Sequence, residues 1–99
     1  MGPTTVEEIA KAVASEYGVP EAALYQSRAP CRDARMLFLE LCRIYLSRKM
    51  SLAEIGRSVG DITASAFSRN RARLGEKLEK DSFLRERFEK LKCVWGGTF

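Results

Sequence analysis

Residues 51–74, SLAEIGRSVGDITASAFSRNRARL, decide the predicted fold, because they contain the signals for two helices joined by a tight turn. Ser51 and Glu54 have the spacing of a capping box, in which the serine oxygen and the glutamate carboxylate each satisfy a backbone amide at a helix start. A helix is therefore expected to begin at Leu52. Gly60 can adopt the left-handed conformation that ends a helix, so this helix is expected to be about two turns long.

The second helix of this stretch is expected to follow a cap at Asp61 or Thr63 and to run without proline as far as Gly75. Two helices that meet at a sharp corner form the plan of a helix-turn-helix, although any small helical bundle contains such corners. Phe67 is expected to pack in the core rather than to stack on a base. Small hydroxyl groups open the helix and arginines follow, which makes the pattern more specific: Thr63, Ser65, Ser68, Arg69, Arg71 and Arg73.

Length and composition predict one globular domain spanning residues 1–99, with an ordered core at about residues 5–92. The chain has 99 residues, of which 45% are hydrophobic and 30% are charged. No apolar run approaches the roughly twenty residues of a membrane span, and no signal-peptide pattern opens the chain, so we expect a cytoplasmic protein with no membrane partner. Three widely spaced cysteines without any histidine indicate neither a zinc site nor a disulfide scaffold, and no metal or cofactor is expected.

Positive charge is concentrated in the middle of the chain. The net charge is +4 overall, but residues 27–73 contain ten cations against four anions, whereas the first 26 residues carry a net charge of −3. Nine of those ten cations are arginines, the side chains that best match phosphate oxygens and guanine edges. The distribution favours nucleic acid as the partner, with a solvated charged face as the alternative interpretation.

The remaining periodic segments complete a predicted all-α, compact bundle of about five helices around a central helix-turn-helix. A threonine-capped first helix with an acidic outer face is expected to stop at Gly18. Residues 34–49 are expected to form the longest helix and, being apolar over much of its circumference, the central one. A last helix capped by Asp81 or Ser82 is expected to turn four apolar side chains inward: Phe83, Leu84, Phe88 and Leu91.

Several phrases of the chain resemble a known family. They are YGV at 17–19, SR at 27–28, AR at 34–35, YL at 45–46, SLAEIGRSVG at 51–60 and SAFSRNRARLGEKLEKD at 65–81. Together they resemble the C-terminal DNA-binding domain of the replication initiator DnaA, in the Trp-repressor-like helix-turn-helix group. The resemblance is closer to the related domain that follows the catalytic core of REP-associated tyrosine transposases, and it covers about residues 5–92.

The resemblance implies sequence-specific binding of double-stranded DNA, with the helix from Thr63 in the major groove. Ser65, Ser68 and Arg69 would lie nearest the base edges, while Arg57 and the amides after Ser51 would contact phosphate. A basic loop would bring Arg28 and Arg32 to the flanking backbone or minor groove. The candidate DNA-binding residues are therefore Arg28, Arg32, Ser51, Arg57, Thr63, Ser65, Ser68, Arg69 and Arg73.

The chain also departs from that family. DnaA-type domains open the recognition helix with Asp-His-Thr-Thr, where this chain has residues 63–66, TASA, so origin-box specificity is not expected. The transposase core needs histidines to hold a metal, and this chain has none. We therefore expect no enzyme and no small-molecule substrate, but a DNA-binding domain located at the bacterial nucleoid that works with a catalytic domain in cis or in trans.

Two alternatives remain from the sequence. A helical protein-interaction domain would dock a catalytic partner through its C-terminal helix, using an apolar patch around Phe88, Leu91, Val94 and Trp95. An enzyme is the more distant alternative, because the chain has no paired-carboxylate motif, no nucleophile with a histidine base and no glycine-rich phosphate loop. Salt-dependent binding to duplex DNA distinguishes a DNA-binding domain from both.

Overall fold

Five α-helices and one short 3₁₀ helix surround a single core in the computed structural model, which describes residues 5–26 and 32–94. The α-helices are α1 (Val6–Tyr17), α2 (Arg32–Leu46), α3 (Leu52–Ser58), α4 (Ala64–Lys80) and α5 (Ser82–Val94), and the 3₁₀ helix is Glu21–Tyr25. No strand occurs in these ranges, and the prediction of an all-α bundle of about five helices is confirmed. In the same ranges, no helix combines the length and the apolar character that a membrane crossing needs.

Short polar side chains begin four of the helices, as the sequence predicts. Thr5, Ser51, Thr63 and Asp81 each accept a hydrogen bond from the amide three residues later, at 3.1–3.2 Å. The Ser51 amide in turn donates to the Glu54 carboxylate at 3.2 Å, which completes the predicted capping box. These bonds satisfy amides that have no partner inside the helix, so each helix start is fixed by local sequence.

The central position of α2 follows from its apolar circumference. It packs against α1, α3, α4 and the 3₁₀ helix. Its fully buried apolar side chains occupy successive positions around the helix, which is possible only when neighbours cover it on most sides. They are Ala34, Leu37, Phe38, Leu39, Leu41, Cys42 and Leu46.

The predicted limits of this helix were wrong. Helix α2 begins two residues before the expected start at Ala34 and ends three residues before Lys49, and α4, with 17 residues against 15, is the longest helix. Asp33 lies in the first turn of α2, where a carboxylate is favourable to the helix dipole. The amide of Met50 bonds back to the carbonyl of Leu46 at 2.9 Å, and this turn redirects the chain into α3.

The last helix closes the core against α1 and α4, but with one apolar side chain fewer than predicted. Leu84, Phe88 and Leu91 are buried, whereas Phe83 is 76% exposed. Adjacent residues in a helix point about 100° apart, and the contacts of α5 with α1 and α4 cover the side of Leu84 but not that of Phe83. Leu84 has the spacing of four and seven residues to Phe88 and Leu91, and it therefore takes the inward position.

The corner between α3 and α4 is fixed by backbone contacts. Gly60 has φ 109° and Asp61 has φ 61°, so both lie in the left-handed region that turns the chain sharply. Asp61 therefore belongs to the turn, and Thr63 alone caps α4. The Ile62 amide donates to the Gly56 carbonyl at 3.0 Å, and a methyl group at Gly56 would overlap the Ile62 carbonyl oxygen. Glycine at position 56 thus sets how closely α4 approaches α3.

Candidate nucleic-acid interface

Helix α4 turns one side to the core and the opposite side to solvent. Phe67 and Leu74 are each 2% exposed, and the side-chain amide of Asn70 donates to the Met36 carbonyl of α2 at 3.1 Å. The prediction that Phe67 packs in the core is confirmed. The side chains on the outward face are all exposed: Ser65, Ser68, Arg69 and Ala72. Since 3.6 residues make one turn, these positions share a face that points away from α2.

The three arginines of α4 divide between two flanks of this outward face. Arg69 and Arg73 are four residues apart and lie on the flank beside α2. Arg71 is two residues from each of them, and this spacing places it on the other flank. All three are exposed, as is Arg57 on the outward side of α3. Within residues 5–26 and 32–94, no carboxylate lies close enough to any of the four to form an ion pair.

A shallow groove between α2 and α4 gathers further positive charge. Arg35 enters it from α2, where its guanidinium donates to the Leu24 carbonyl at 2.8 Å. Burial lowers the pKa of Arg35, which shows that its charge is partly removed from water. The groove lining contains no carboxylate among the described residues: Arg35, Leu39, Ile62, Ala66, Arg69, Asn70 and Arg73.

Sequence reasoning missed the contribution of Arg35 to this surface. The helical pattern places Arg35 on the less apolar side of α2, but it does not show what packs against that side. Arg35 lies 34 positions before Arg69 in the chain. Only the packing of α4 against α2 brings the two side chains into one groove.

Two of the predicted DNA-binding hydroxyl groups have structural roles in helix capping. The Ser51 oxygen accepts from the Glu54 amide, and the Thr63 oxygen accepts from the Ala66 amide, both at 3.2 Å. The hydrogen bonds from Ser51 lower the pKa of Glu54, so a carboxylate is held at the start of α3. The Thr63 hydroxyl keeps its own hydrogen for another acceptor, such as a phosphate oxygen, whereas the Ser51 hydroxyl is engaged with the Glu54 carboxylate.

Only part of the predicted basic loop lies among the described residues. Arg28 lies outside the described residues, while Arg32, expected in the loop, is the exposed first residue of α2. Its neighbour Asp33 pairs with Lys77 of α4 at 2.8 Å. Lys77 is twelve residues beyond Ser65, or about 18 Å along the helix, so Arg32 lies near the C-terminal half of α4 rather than near its outward start.

Burial weakens three of the potential nucleophiles among the described residues. No group of three or more side chains among them has the arrangement of a metal site. Burial raises the pKa of Tyr25 and of Tyr45, and it raises the pKa of the Cys42 thiol much further. A raised pKa keeps a hydroxyl or thiol protonated at neutral pH, and the protonated form is a poor nucleophile.

The C-terminal helix offers less apolar surface than the alternative interpretation requires. Phe88 and Leu91 are buried in the core, so they contribute none. The Val94 side chain and Trp95 lie outside the described residues. The exposed aromatic side chain on α5 is instead Phe83, near the start of the helix.

Comparisons of the chain with models of protein families, with curated proteins and with solved structures find no match. What the chain binds is therefore inferred from its own surface.

Proposed function

We propose that this chain binds double-stranded DNA sequence-specifically, with α3, the turn and α4 acting as a helix-turn-helix and α4 entering the major groove. The observation that supports this most is the outward face of α4, which is exposed, carries arginines without carboxylate partners among the described residues, and is held firmly on α2. An unpaired basic helix of this kind is the electrostatic pattern of a nucleic-acid contact.

The outward face of α4 has side chains suited to groove contact. Ser65, Ser68 and Ala72 are small, so the helix backbone can approach the base edges closely. Arg69 follows within the same face and can donate two hydrogen bonds to a guanine edge, the commonest specific contact in the major groove. Arg57 projects from the adjoining helix α3, where it can reach the phosphate backbone.

Within this proposal the chain is the recognition domain of a transposase-related protein, and a catalytic domain in cis or in trans performs the chemistry. Metal-assisted phosphoryl transfer needs ligands in fixed geometry and an activated nucleophile. We expect the purified chain to bind DNA at the nucleoid but neither to nick nor to join it when magnesium or manganese is present. Metal-dependent cleavage of supercoiled plasmid that disappears on mutation of Tyr17, Tyr25 or Tyr45 would contradict this.

The test is duplex binding by fluorescence anisotropy across a range of salt concentrations. Two double variants with the same net charge provide a matched comparison: Arg69→Ala/Arg73→Ala and Lys11→Ala/Lys90→Ala. All four side chains are exposed, but only the first pair lies on the proposed interface. Each phosphate contact adds about 0.9 to the slope of log affinity against log salt for B-form DNA.

The first variant is expected to lose most of its affinity and to have a much shallower salt dependence than the second. Equal losses in the two variants would show that net charge alone drives binding, and they would contradict an interface on α3 and α4. No duplex binding by the parent protein at low salt would contradict the function itself.

A protein-interaction domain is the second candidate, and Phe83 is the observation that favours it. Phe83 is 76% exposed near the start of α5, where its ring is free to fill a pocket of a partner protein. If duplex binding is absent, the relevant test is whether a purified candidate catalytic domain binds the parent chain and loses affinity for Phe83→Ser.

A further inference from the structure

Two arginines on α2 have opposite electrostatic environments. Arg43 makes two hydrogen bonds to the Glu40 carboxylate, at 2.8 and 2.9 Å, and this contact raises its pKa. Arg35, two turns earlier, donates to the neutral Leu24 carbonyl, and burial lowers its pKa. The charge of a partly buried cation is not neutralised by a neutral acceptor, so an anion bound beside that cation is stabilised.

Packing brings two more cations to Arg35. Arg69 and Arg73 of α4 line the same groove, and the hydrogen bond from Asn70 to the Met36 carbonyl holds the two helices at a fixed separation. Like charges repel in the absence of an anion, and no described carboxylate lines the groove to relieve the repulsion. Three arginines line one concavity, and the planar donors of a guanidinium group match the oxygens of a phosphate group.

We propose that this groove, lined by Arg35, Arg69 and Arg73, is a phosphate-binding site that holds one backbone phosphate of the bound duplex, contacted there by Arg35 and Arg73 while Arg69 reaches the base edges. The identity of the phosphate source rests on the proposed function, whereas the groove's affinity for a phosphate group does not. The apolar floor formed by Leu39, Ile62 and Ala66 lowers the local dielectric constant and strengthens the attraction between the guanidinium groups and the anion.

The position of the groove predicts which DNA strand supplies the phosphate. Arg69 and Arg73 lie on the α2 flank of α4, and Arg71 lies on the opposite flank. A helix in the major groove has one phosphate backbone on each side. The groove therefore holds a phosphate from one strand, while Arg71 is directed toward the other strand.

The first experiment uses no DNA, so that it tests the groove separately from the function. Inorganic pyrophosphate is titrated into the protein while the arginine side-chain Nε–H signals are followed by NMR. The signals of Arg35, Arg69 and Arg73 are expected to shift together and to saturate with one dissociation constant. The signals of Arg43, Arg57 and Arg71 are the internal controls and are expected to shift much less.

The second experiment replaces single phosphates of a bound duplex, recovered by selection from random sequence, with neutral methylphosphonate. Replacement at one position on one strand is expected to lower the affinity of the parent protein for the duplex about tenfold. The same replacement is expected to lower the duplex affinity of the Arg73→Ala variant less than about twofold, because that variant has already lost the contact. Arg71→Ala is expected to retain the full tenfold loss at that position, since its side chain lies on the other flank.

Arg73→Ala is preferred because its side chain is exposed, whereas removal of Arg35 also removes the bond to Leu24. Arg35→Gln is compared with Arg35→Lys, each with its thermal melting curve, so that a loss of folding is distinguished from a loss of phosphate affinity. Lysine keeps the charge and is expected to retain more pyrophosphate affinity than glutamine does.

The outcomes separate the two proposals. Two outcomes overturn the phosphate site and leave DNA binding intact. In the first, the protein binds duplex, but pyrophosphate does not shift the signals of Arg35, Arg69 and Arg73. In the second, the affinity loss from Arg73→Ala adds fully to the loss from every methylphosphonate. A saturable pyrophosphate shift at the three arginines without any duplex binding supports the groove as a phosphate site and overturns the duplex as its source.

Discussion

The basic side chains between α1 and α5 have partners within the protein, whereas those on α3 and α4 are exposed to solvent. At the α1–α5 contact, Arg87 stacks on the Tyr17 ring at 4.6 Å and donates to the Glu16 carbonyl at 3.2 Å, and Lys90 pairs with the Glu16 carboxylate at 3.3 Å. On α3 and α4, Arg57 and Arg69 are exposed and form no ion pair among the described residues, and Arg57 interacts with the Glu54 carboxylate only at longer range.

This difference separates arginines that hold the fold together from arginines that are available to a ligand. Both kinds occur at helical spacing with mixed neighbours, so composition does not distinguish them. The contacts do, because a cation that stacks on a ring or pairs with a carboxylate inside a helix–helix contact gains little from a phosphate. The comparison therefore predicts that stability and DNA affinity respond to different substitutions.

The largest expected effect concerns the core beneath both regions. Ile55 is fully buried in α3. Ile55→Ala should lower the free energy of unfolding by about 2–5 kcal/mol, through lost burial and a residual cavity. Chemical denaturation followed by circular dichroism measures this, with Phe83→Ala as the exposed control expected to change stability by about 0.5 kcal/mol or less. A similarly small change for Ile55→Ala would show that the buried face of α3 is assigned wrongly.

The next largest effect should appear in binding and not in stability. Arg69→Ala is expected to cost about 1–3 kcal/mol of affinity for the preferred duplex and to relax the preference at one base pair. Competition binding with a panel of single-base-pair variants measures both. A uniform loss on every sequence would remove Arg69 from the base edges and leave it a phosphate contact.

Arg87→Ala should show the opposite behaviour. Loss of the contact with the Tyr17 ring and of the bond to the Glu16 carbonyl is expected to lower the free energy of unfolding by about 1–2 kcal/mol. Duplex affinity should stay unchanged, because Arg87 belongs to the α1–α5 contact. A lower duplex affinity with an unchanged free energy of unfolding would contradict the assignment of Arg87 to the stability of the fold.

Arg57→Ala should give a smaller and sequence-independent effect. Removal of one phosphate contact weakens all duplexes alike and lowers the salt-dependence slope by about one unit. Salt titrations on the preferred duplex and on an unrelated one measure the change. Weakening confined to the preferred duplex would place Arg57 at the bases instead.

The smallest effect concerns pH and the start of α3. Hydrogen bonds with Ser51 hold the pKa of Glu54 below its ordinary value of 4.5. A carboxyl group with a depressed pKa stabilises the fold above its unfolded-state pKa and loses that contribution as pH falls through the folded-state value. The stability difference between the parent chain and Glu54→Gln should therefore shrink below about pH 4.5. Ser51→Ala should reduce the same pH dependence, and an unchanged profile in that variant would contradict the role of the capping box.

Local rules predicted the helix starts and failed where packing decides. Ser51 was identified as a cap, and Thr63 and Asp81 each as one of two candidates, because a cap is defined by residues three apart in sequence. Phe83 was assigned to the core because an amphipathic pattern cannot choose between adjacent apolar residues. The groove at Arg35 required the mutual position of α2 and α4, which no local pattern contains.

The close approach at Gly56 has a consequence for how this protein can change. Because backbone meets backbone there, the contact between α3 and the turn that leads into α4 does not involve the side chains that α4 exposes. The outward residues of α4 can therefore be substituted together, provided that Gly56, Phe67 and Leu74, which maintain the fold, are kept. Under the proposed function, libraries at positions 65, 68, 69 and 72 would vary the contacts with DNA and leave the scaffold unchanged.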